Sequence, residues 1–563
     1  MKQSHLIGFT AVLVTLVSGP RPAAAQISEA RIKELVREAA KTAEQNPGPS
    51  LVQVPGEGPA VSMTLDDAVK FALERNLDIA VQRLNPQLQD IAVASARTFY
   101  GPALTSSLGQ NHNVNAPTSQ LQLSQGGGGV TNQTFSYNAG MTKNFTFGGG
   151  TAAATLNNSR QATNSNNAFY NPQFASVWSF NYTQPLMRDF RIDTQRRQVI
   201  VSQVNREISD VQLRAAMTNL VSNVRNAYWD YVFTTQAVEV ARQSYELASK
   251  LVQDNQIRVE VGTMAPIDVV QAQAEQATRR QGLVTAENAK RVAELALKRL
   301  IVSGTEDPNW VATLDPVDRP DFQSEPIDIE AAIRVALSQR TDLEIAKKNV
   351  ENNNTTISYL RNQTLPIVDL QVNYGVQGVG GPYLQRSNNT ALGSQITETV
   401  PGGLAQALSS LFENRYPRWS AQVNMTYPLG LSSQEAAVAR ARVQLSQIQA
   451  QMRQMELQVA NDVTNAAIQV RNASESVQAA QAARELSQRR LEAEQSKFEV
   501  GMSTNYFVVQ AQRDLNDARN SELRVILNYR KALVEFERLQ QTTLSNANIT
   551  VIAAGGGGGA AGF

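Results

Sequence analysis

Two blocks of this sequence recur in the same order further along the chain, at two different offsets. Residues 65 to 109 align without gaps to 329 to 373. This shift of 264 positions sets Ala68 on Ala332, Ala72-Leu73 on Ala336-Leu337, Asp78 on Asp342 and Pro102 on Pro366. A second shift, of 239 positions, pairs Val224 with Val463, Asn226-Ala227 with Asn465-Ala466, and Arg299-Leu300 with Arg538-Leu539. Its strongest stretch lays Val261-Gly262 on Val500-Gly501 and the string Val269 to Gln273 on the identical Val508 to Gln512. Ordered blocks at unequal offsets mean that one unit was duplicated and that the segment between its blocks changed length. Such a chain folds as two copies of one supersecondary unit rather than as several unrelated domains. The predicted layout is a first repeat over 64–302, a linker rich in Pro, Asp and Thr over 303–326, and a second repeat over 327–541.

Each repeat carries one very long helical pattern. From 192 to 261 there is no proline, and Gly262 is the first strong breaker. Ala237, Val240, Ala241, Ser244, Leu247, Ala248 and Leu251 recur at the spacing of one helix face. At 1.5 Å per residue this helix reaches about 100 Å. Its counterpart spans 432–500. Two shorter helical segments accompany each long one, at 64–100 and 267–301 in the first repeat and at 327–364 and 505–541 in the second. The two short lengths sum to about one long length, so a stacked pair can run beside one long helix. Pro86 is expected to interrupt and kink the first short helix. The helices alone fit an extended coiled-coil scaffold equally well.

The strands distinguish the two. Trp178, Phe180 and Tyr182 alternate with Ser179, Asn181 and Thr183, while Trp419, Ala421, Val423 and Met425 alternate with Ser420, Gln422 and Asn424. Period two with an aromatic-rich apolar face fits a strand wetted by lipid on one side. The expected strands lie near 103–112, 175–186, 367–375 and 418–428, and Tyr427 closes the last. Gln184-Pro185-Leu186 and Tyr427-Pro428-Leu429 end the second strand of each repeat alike, so Pro185 and Pro428 mark the passage from strand to long helix. Four strands per chain fall short of the about eight that the smallest membrane barrels need, so several subunits must share one barrel. Residues 133–158 hold a further apparent hairpin, with Phe135, Tyr137, Phe145 and Phe147 around Gly148-Gly149-Gly150. It fits an external flap or two more barrel strands.

Composition removes other classes. Residues 1–25 read as a signal peptide, with Lys2 before an apolar core and Ala23-Ala24-Ala25 at the cleavage site. No later stretch offers about eighteen uninterrupted apolar residues, which argues against spanning helices. The chain has no cysteine and only two histidines, leaving almost nothing for disulfides, a catalytic triad or a zinc site. No catalytic residue, metal ligand or cofactor is expected. A net charge of +1 without a dense basic block gives no reason to propose nucleic acid. No phosphate-binding G-x-x-x-x-G-K-[ST] loop occurs, so transport energy must come from a partner. Residues 26–63 read as a charged helix and a linker, and 542–563 as a disordered Gly/Ala tail.

Taken together, the paired Leu65-Asp66-Asp67-Ala68 and Ile329-Glu330-Ala331-Ala332 starts, the Pro-Leu strand exits and the paired Val-Gly…Val-Val-Gln-Ala-Gln segments resemble the TolC-like outer membrane efflux proteins, from Thr64 to Gln540. The resemblance implies a homotrimer: a mainly α-helical tunnel of duplicated strand-pair and long-helix units, continuous with a shared twelve-stranded β-barrel. It implies a passive exit duct in the outer membrane with a long periplasmic extension. An inner-membrane pump of RND, ABC or MFS type would feed it through a periplasmic adaptor. A periplasmic coiled-coil adaptor or scaffold is the competing reading, but it has no use for two aromatic-alternating strand pairs. The family places the periplasmic tip at the turns after the Val-Gly pairs, here Gly262, Asp268, Gly501 and Ser503. Positions that carry acidic rings in one well-known member are here Phe507 and Gln510, and of that member's tip latch only the acid, Asp268, is kept, with Phe498 and Ser503 at the other positions. The expected constriction is therefore apolar, formed at Phe507 with Gln510 and Phe498, and gates by dewetting. Trp178, Phe180, Tyr182, Trp419 and Tyr427 are expected to face outer-membrane lipid.

Overall fold

The computed structural model describes residue 37 and residues 59–116, 128–165, 168–262, 264–319, 322–323, 326–386, 396–427, 432–547 and 549. The chain divides into two units, 1–51 with 552–563 and 52–551, and every element below belongs to the second. The signal segment, the charged segment at 28–45 apart from Arg37, Pro428 and residues 550–563 lie outside the described residues.

The duplication reappears as matched helix lengths. The long helices α3 (Thr194–Glu260) and α9 (Ser433–Glu499) have 67 residues each. The returning helices α4 (Pro266–Ile301) and α10 (Asn505–Gln540) have 36 each. Each leading segment is split in two, α1 (Leu65–Arg75) with α2 (Leu77–Thr98) and α6 (Ile329–Gln339) with α7 (Thr341–Gln363). The split falls at Asn76 and Arg340, which the first shift superimposes, and not at Pro86, which α2 passes through. Asn76 serves both helices. Its N–H donates to the Ala72 carbonyl at 3.0 Å while its side chain accepts from the Ile79 N–H at 3.2 Å. Because it does this from an extended backbone, the chain turns there. Capping boxes at Thr64/Asp67 and Ser432/Glu435 open α1 and α9.

Helix packing gives four lanes at both levels. Next to the sheet the order is α2, α3, α7, α9, and at the far end it is α4, α3, α10, α9. Two apolar clusters hold the lanes at mid-length. Met63, Val221, Val224, Tyr228, Leu297 and Leu314 build one, and Leu343, Val459, Val463, Ala467 and Tyr529 belong to the other. Val224 and Val463, partners in the second shift, sit in corresponding places. Segments expected to be plain linkers complete the first cluster. Strand β1 (Ala60–Met63) pairs in parallel with β6 (Thr313–Pro316), preceded by the short α5 (Pro308–Val311). Asp318 accepts from the Leu65 N–H and from the Tyr228 hydroxyl, both at 2.7 Å. Four-residue strands are too short to show alternation, which is why these segments read as linkers. The expected disordered tail is also corrected at its start, because α11 (Thr543–Asn546) buries Leu544 in the first cluster.

The remaining strands form one antiparallel sheet: β2 (Ala103–Asn115), β3 (Val130–Asn144), β4 (Thr151–Thr163), β5 (Gln173–Pro185), β7 (Ile367–Gly380) and β10 (Pro417–Thr426). Their order is β10-β7-β5-β4-β3-β2. The expected four strands are therefore six, because β3 and β4 lie inside the sheet, between the two strands of the first repeat, with 13 residue pairs between them. A second hairpin, β8 (Tyr383–Arg386) with β9 (Ile396–Val400), and helix α8 (Leu404–Phe412) fill the connection from β7 to β10. Among the described residues no helix is long and apolar enough to cross a membrane.

Candidate functional site

Register assigns every sheet residue to one of two faces. On the first, Trp419, Tyr374, Phe180, Ala154, Met141 and Leu104 form one row across all six strands, and Val376, Trp178, Leu156 and Ala139 lie in the row beside it. This face is largely apolar, and the Trp178 and Tyr374 rings meet edge to face at 6.0 Å. Its two charged residues, Lys143 and Arg160, stand near opposite strand ends, where long side chains can reach polar surroundings. Trp178, Phe180, Tyr182 and Trp419 all belong to it, and Trp419 is 78% exposed on the isolated chain. Tyr427 follows the end of β10 and is exposed. The opposite face is a field of amides and hydroxyls joined across strands: Asn138 to Ser107 at 3.2 Å, Thr155 with Ser179 at 2.6 Å, and Gln422 to Gln371 at 2.7 Å. Apolar on one side and polar on the other is the pattern of a barrel wall between lipid and water.

The passage from strand to long helix is a locked corner. Pro185 ends β5, and α3 starts only at Thr194, with Asp193 as its N-cap. Between them the Arg196 guanidinium gathers the Phe190 carbonyl at 2.8 Å, the Arg191 carbonyl at 3.1 Å, the Asp189 carbonyl and the Asp193 carboxylate. The end of α7 closes the same corner, with Asn362 accepting from the Asp189 N–H and Gln363 from Arg188, both at 2.6 Å. The Gly148–Gly150 turn packs onto it as well, and Gln184 donates to the Gly148 carbonyl at 2.7 Å. Gly149 has φ +68°, and a Cβ there would lie 2.6 Å from the Asp189 carbonyl oxygen. Sequence reasoning marked Pro185 and missed Arg196, whose carbonyl partners lie in an irregular turn with no periodic pattern, and Asn362 and Gln363, which reach the corner from the other repeat, more than 170 positions away.

At the other end of the lanes, Gly262 (φ +83°) and Gly501 (φ +78°) terminate α3 and α9 in left-handed caps. Ser503 donates to Glu494 of its own hairpin at 2.8 Å. Asp268 lies in the first turn of α4, half-buried and near the helix N-terminus. Phe507 is 51% exposed with its ring edge-on to Tyr506, and Gln510 donates to Asp514 at 2.8 Å. Phe498 differs from the other expected constriction residues. It is buried among Leu251, Val252, Ala272 and Val508, with the Arg258 guanidinium 4.4 Å over its ring.

Phe498 thus joins the two hairpins, and further polar contacts do the same. Asn255 donates to Asn505 at 3.2 Å, Ser244 meets Asn516 at 2.6 Å, and Arg513 of α10 donates to Glu275 of α4 at 3.0 Å through Nε. Glu275 has a side chain only 3% exposed and also accepts from Arg279 at 2.7 Å. Burial pushes its carboxyl up, but hydrogen bonds and charge from Arg513 and Arg279 prevail and hold it below the ordinary glutamate value.

A sheet with one lipid-suited and one water-suited face, continued by lanes of helix about 100 Å long, is a wall segment of a membrane channel. The family model described as outer membrane efflux protein matches residues 151–302 and 332–540, and the chain belongs to that family. Its fold is similar to that of CusC, whose structures concern transmembrane channel formation, at 15% identity over 88% of this chain and 98% of that one, with a TM-score of 0.60. The CmeC outer membrane channel of Campylobacter jejuni gives 15%, 86%, 88% and 0.58. The open state of the MtrE outer membrane channel of Neisseria gonorrhoeae gives 16%, 88%, 94% and 0.57. No curated protein matches the chain in sequence. The protein is the outer-membrane channel component of a tripartite efflux system, working with a periplasmic adaptor and an inner-membrane pump, and its family is one of passive channels rather than enzymes. No match supports the adaptor reading.

Proposed function

We propose that three copies of this chain close into one continuous duct, a lipid-embedded barrel running into a helical tunnel, gated at its far tip by an apolar constriction. The observation that carries this reading is that sheet and lanes end on the same two sides. Strands β2 and β10 are the outermost strands of the sheet and exposed on both faces. Helix α2, which leads into β2, and α9, which follows β10, are the outermost lanes. Along α2, Leu77, Val81, Leu84, Leu88 and Ile91 are exposed at heptad spacing, Leu88 to 60%. Different edges on the two sides make a head-to-tail contact, which closes only as a ring. The ring stands in outer-membrane lipid and passes whatever an RND-, ABC- or MFS-type pump delivers through its adaptor. Native mass spectrometry in detergent is expected to give three chains, while a stable single chain would contradict the reading.

Gating is assigned to the tip. Phe507 supplies the exposed ring, with Gln510 one turn on and no fixed negative charge at either position, so closure is by exclusion of water. Opening separates the two hairpins at Phe498–Arg258 and Glu275–Arg513. Single-channel conductance of Phe507→Ala is expected to rise with loss of the closed level, and unchanged conductance and gating would remove Phe507 from the constriction.

A further inference from the structure

We propose that the β3–β4 hairpin widens the outer-membrane pore, and that its nearly uncharged inner wall passes bulky solutes of either charge sign, leaving selection by size to the tip. This rests on the ring closure proposed above. The hairpin cannot serve as a loose flap. Its strands are paired along nearly their whole length on both sides, to β2 over 13 positions and to β5 over 11. Its turn is fastened at the helical end of the sheet by Gln184 on the Gly148 carbonyl and by Phe147 against Phe190, rings 6.2 Å apart. Asn144, at the end of β3, donates to the Phe99 carbonyl at 3.0 Å.

Six strands per chain make eighteen in a threefold ring. At about 4.8 Å between strands and about 40° of tilt, such a barrel is about 36 Å across between backbones, against about 24 Å for twelve strands. On the polar face only two strand residues are charged, Asp369 and Arg418, and they stand six register positions apart on neighbouring strands, too distant to pair. All other polar side chains of that face are Ser, Thr, Asn or Gln. Such a wall offers hydrogen bonds to any polar solute, and in the threefold ring its fixed charges repeat as one acidic level of three Asp369 and one basic level of three Arg418, equal and opposite, so the wall as a whole favours neither sign. Helix α8 does not occupy this space. A Cβ on Gly378 would lie 1.9 Å from the Ala407 carbonyl oxygen, so α8 packs on the face that Gly378 shares with Val376 and Tyr374, the apolar one.

Electron microscopy of the full-length protein in lipid nanodiscs counts the strands. Six per chain are expected, and four per chain with residues 130–163 outside the wall would overturn the proposal. A ring of another size with six strands from each chain would sink the threefold closure alone and uphold the widening. Reversal potentials under a KCl gradient read the second half. The K⁺/Cl⁻ permeability ratio is expected within about twofold of unity, and Asn138→Asp is expected to shift it toward cations. A wild-type ratio beyond about tenfold in either direction, or no response to Asn138→Asp, would overturn the uncharged conducting wall.

Discussion

At the residue scale, the tip is held by groups that only the fold brings together. Glu275 and Arg513 lie 238 positions apart, and nothing in either local sequence marks them as a pair. Glu275 keeps its charge in a buried place because two guanidinium groups surround it, so Glu275→Gln leaves both without their counter-charge. Loss of about 2 kcal/mol of local stability is expected, read as faster hydrogen exchange in the last turns of α3 and α9. Unchanged exchange would show that the pair carries no load. The same group sets a pH dependence. Its carboxyl titrates below the ordinary value of 4.5, so its contribution is complete above that value and is lost as pH falls through the lower folded one. Protease nicking at the tip should therefore rise as pH falls below the ordinary glutamate value in the wild type, and much less in Glu275→Gln. Gly149→Ala meets both a strained backbone and the Asp189 carbonyl. It is expected to cost more than the about 1 kcal/mol of an ordinary glycine replacement, measurable as a lowered melting temperature of the assembled protein.

At the element scale, strands with one buried-type face were legible and short or shared features were not. Strand β10 alternates along its whole length, and the aromatic triple of β5 falls on one face as its period required. The turn glycines and aromatics of β3 and β4 were legible too. Their membership in the sheet was not, because alternation assigns a face to a strand but no neighbour. The helix break illustrates the opposite error. Pro86 is the conspicuous breaker, yet the helix runs through it, and the break falls at Asn76, which satisfies the ends of two helices at once. Asn76→Ala is expected to cost about 1 kcal/mol, and Arg340→Ala less, since Arg340 makes no side-chain cap. Equal losses in thermal unfolding would show that capping does not fix the break.

At the scale of the whole molecule, the free edges decide what the chain is for. A sheet with one apolar face and two unpaired outer strands is a hazard alone and a wall in a ring. The chain has no cysteine, so introduced pairs are the only thiols present. Cysteine at Ser107 in β2, combined in turn with cysteine at Ser420, Gln422 or Asn424 in β10, tests the closure directly, because all four sit on the polar face. At least one combination is expected to give dimer and trimer bands on oxidation in membranes, with no larger species. Monomer alone in every combination would contradict closure through these strands, and with it the shared barrel.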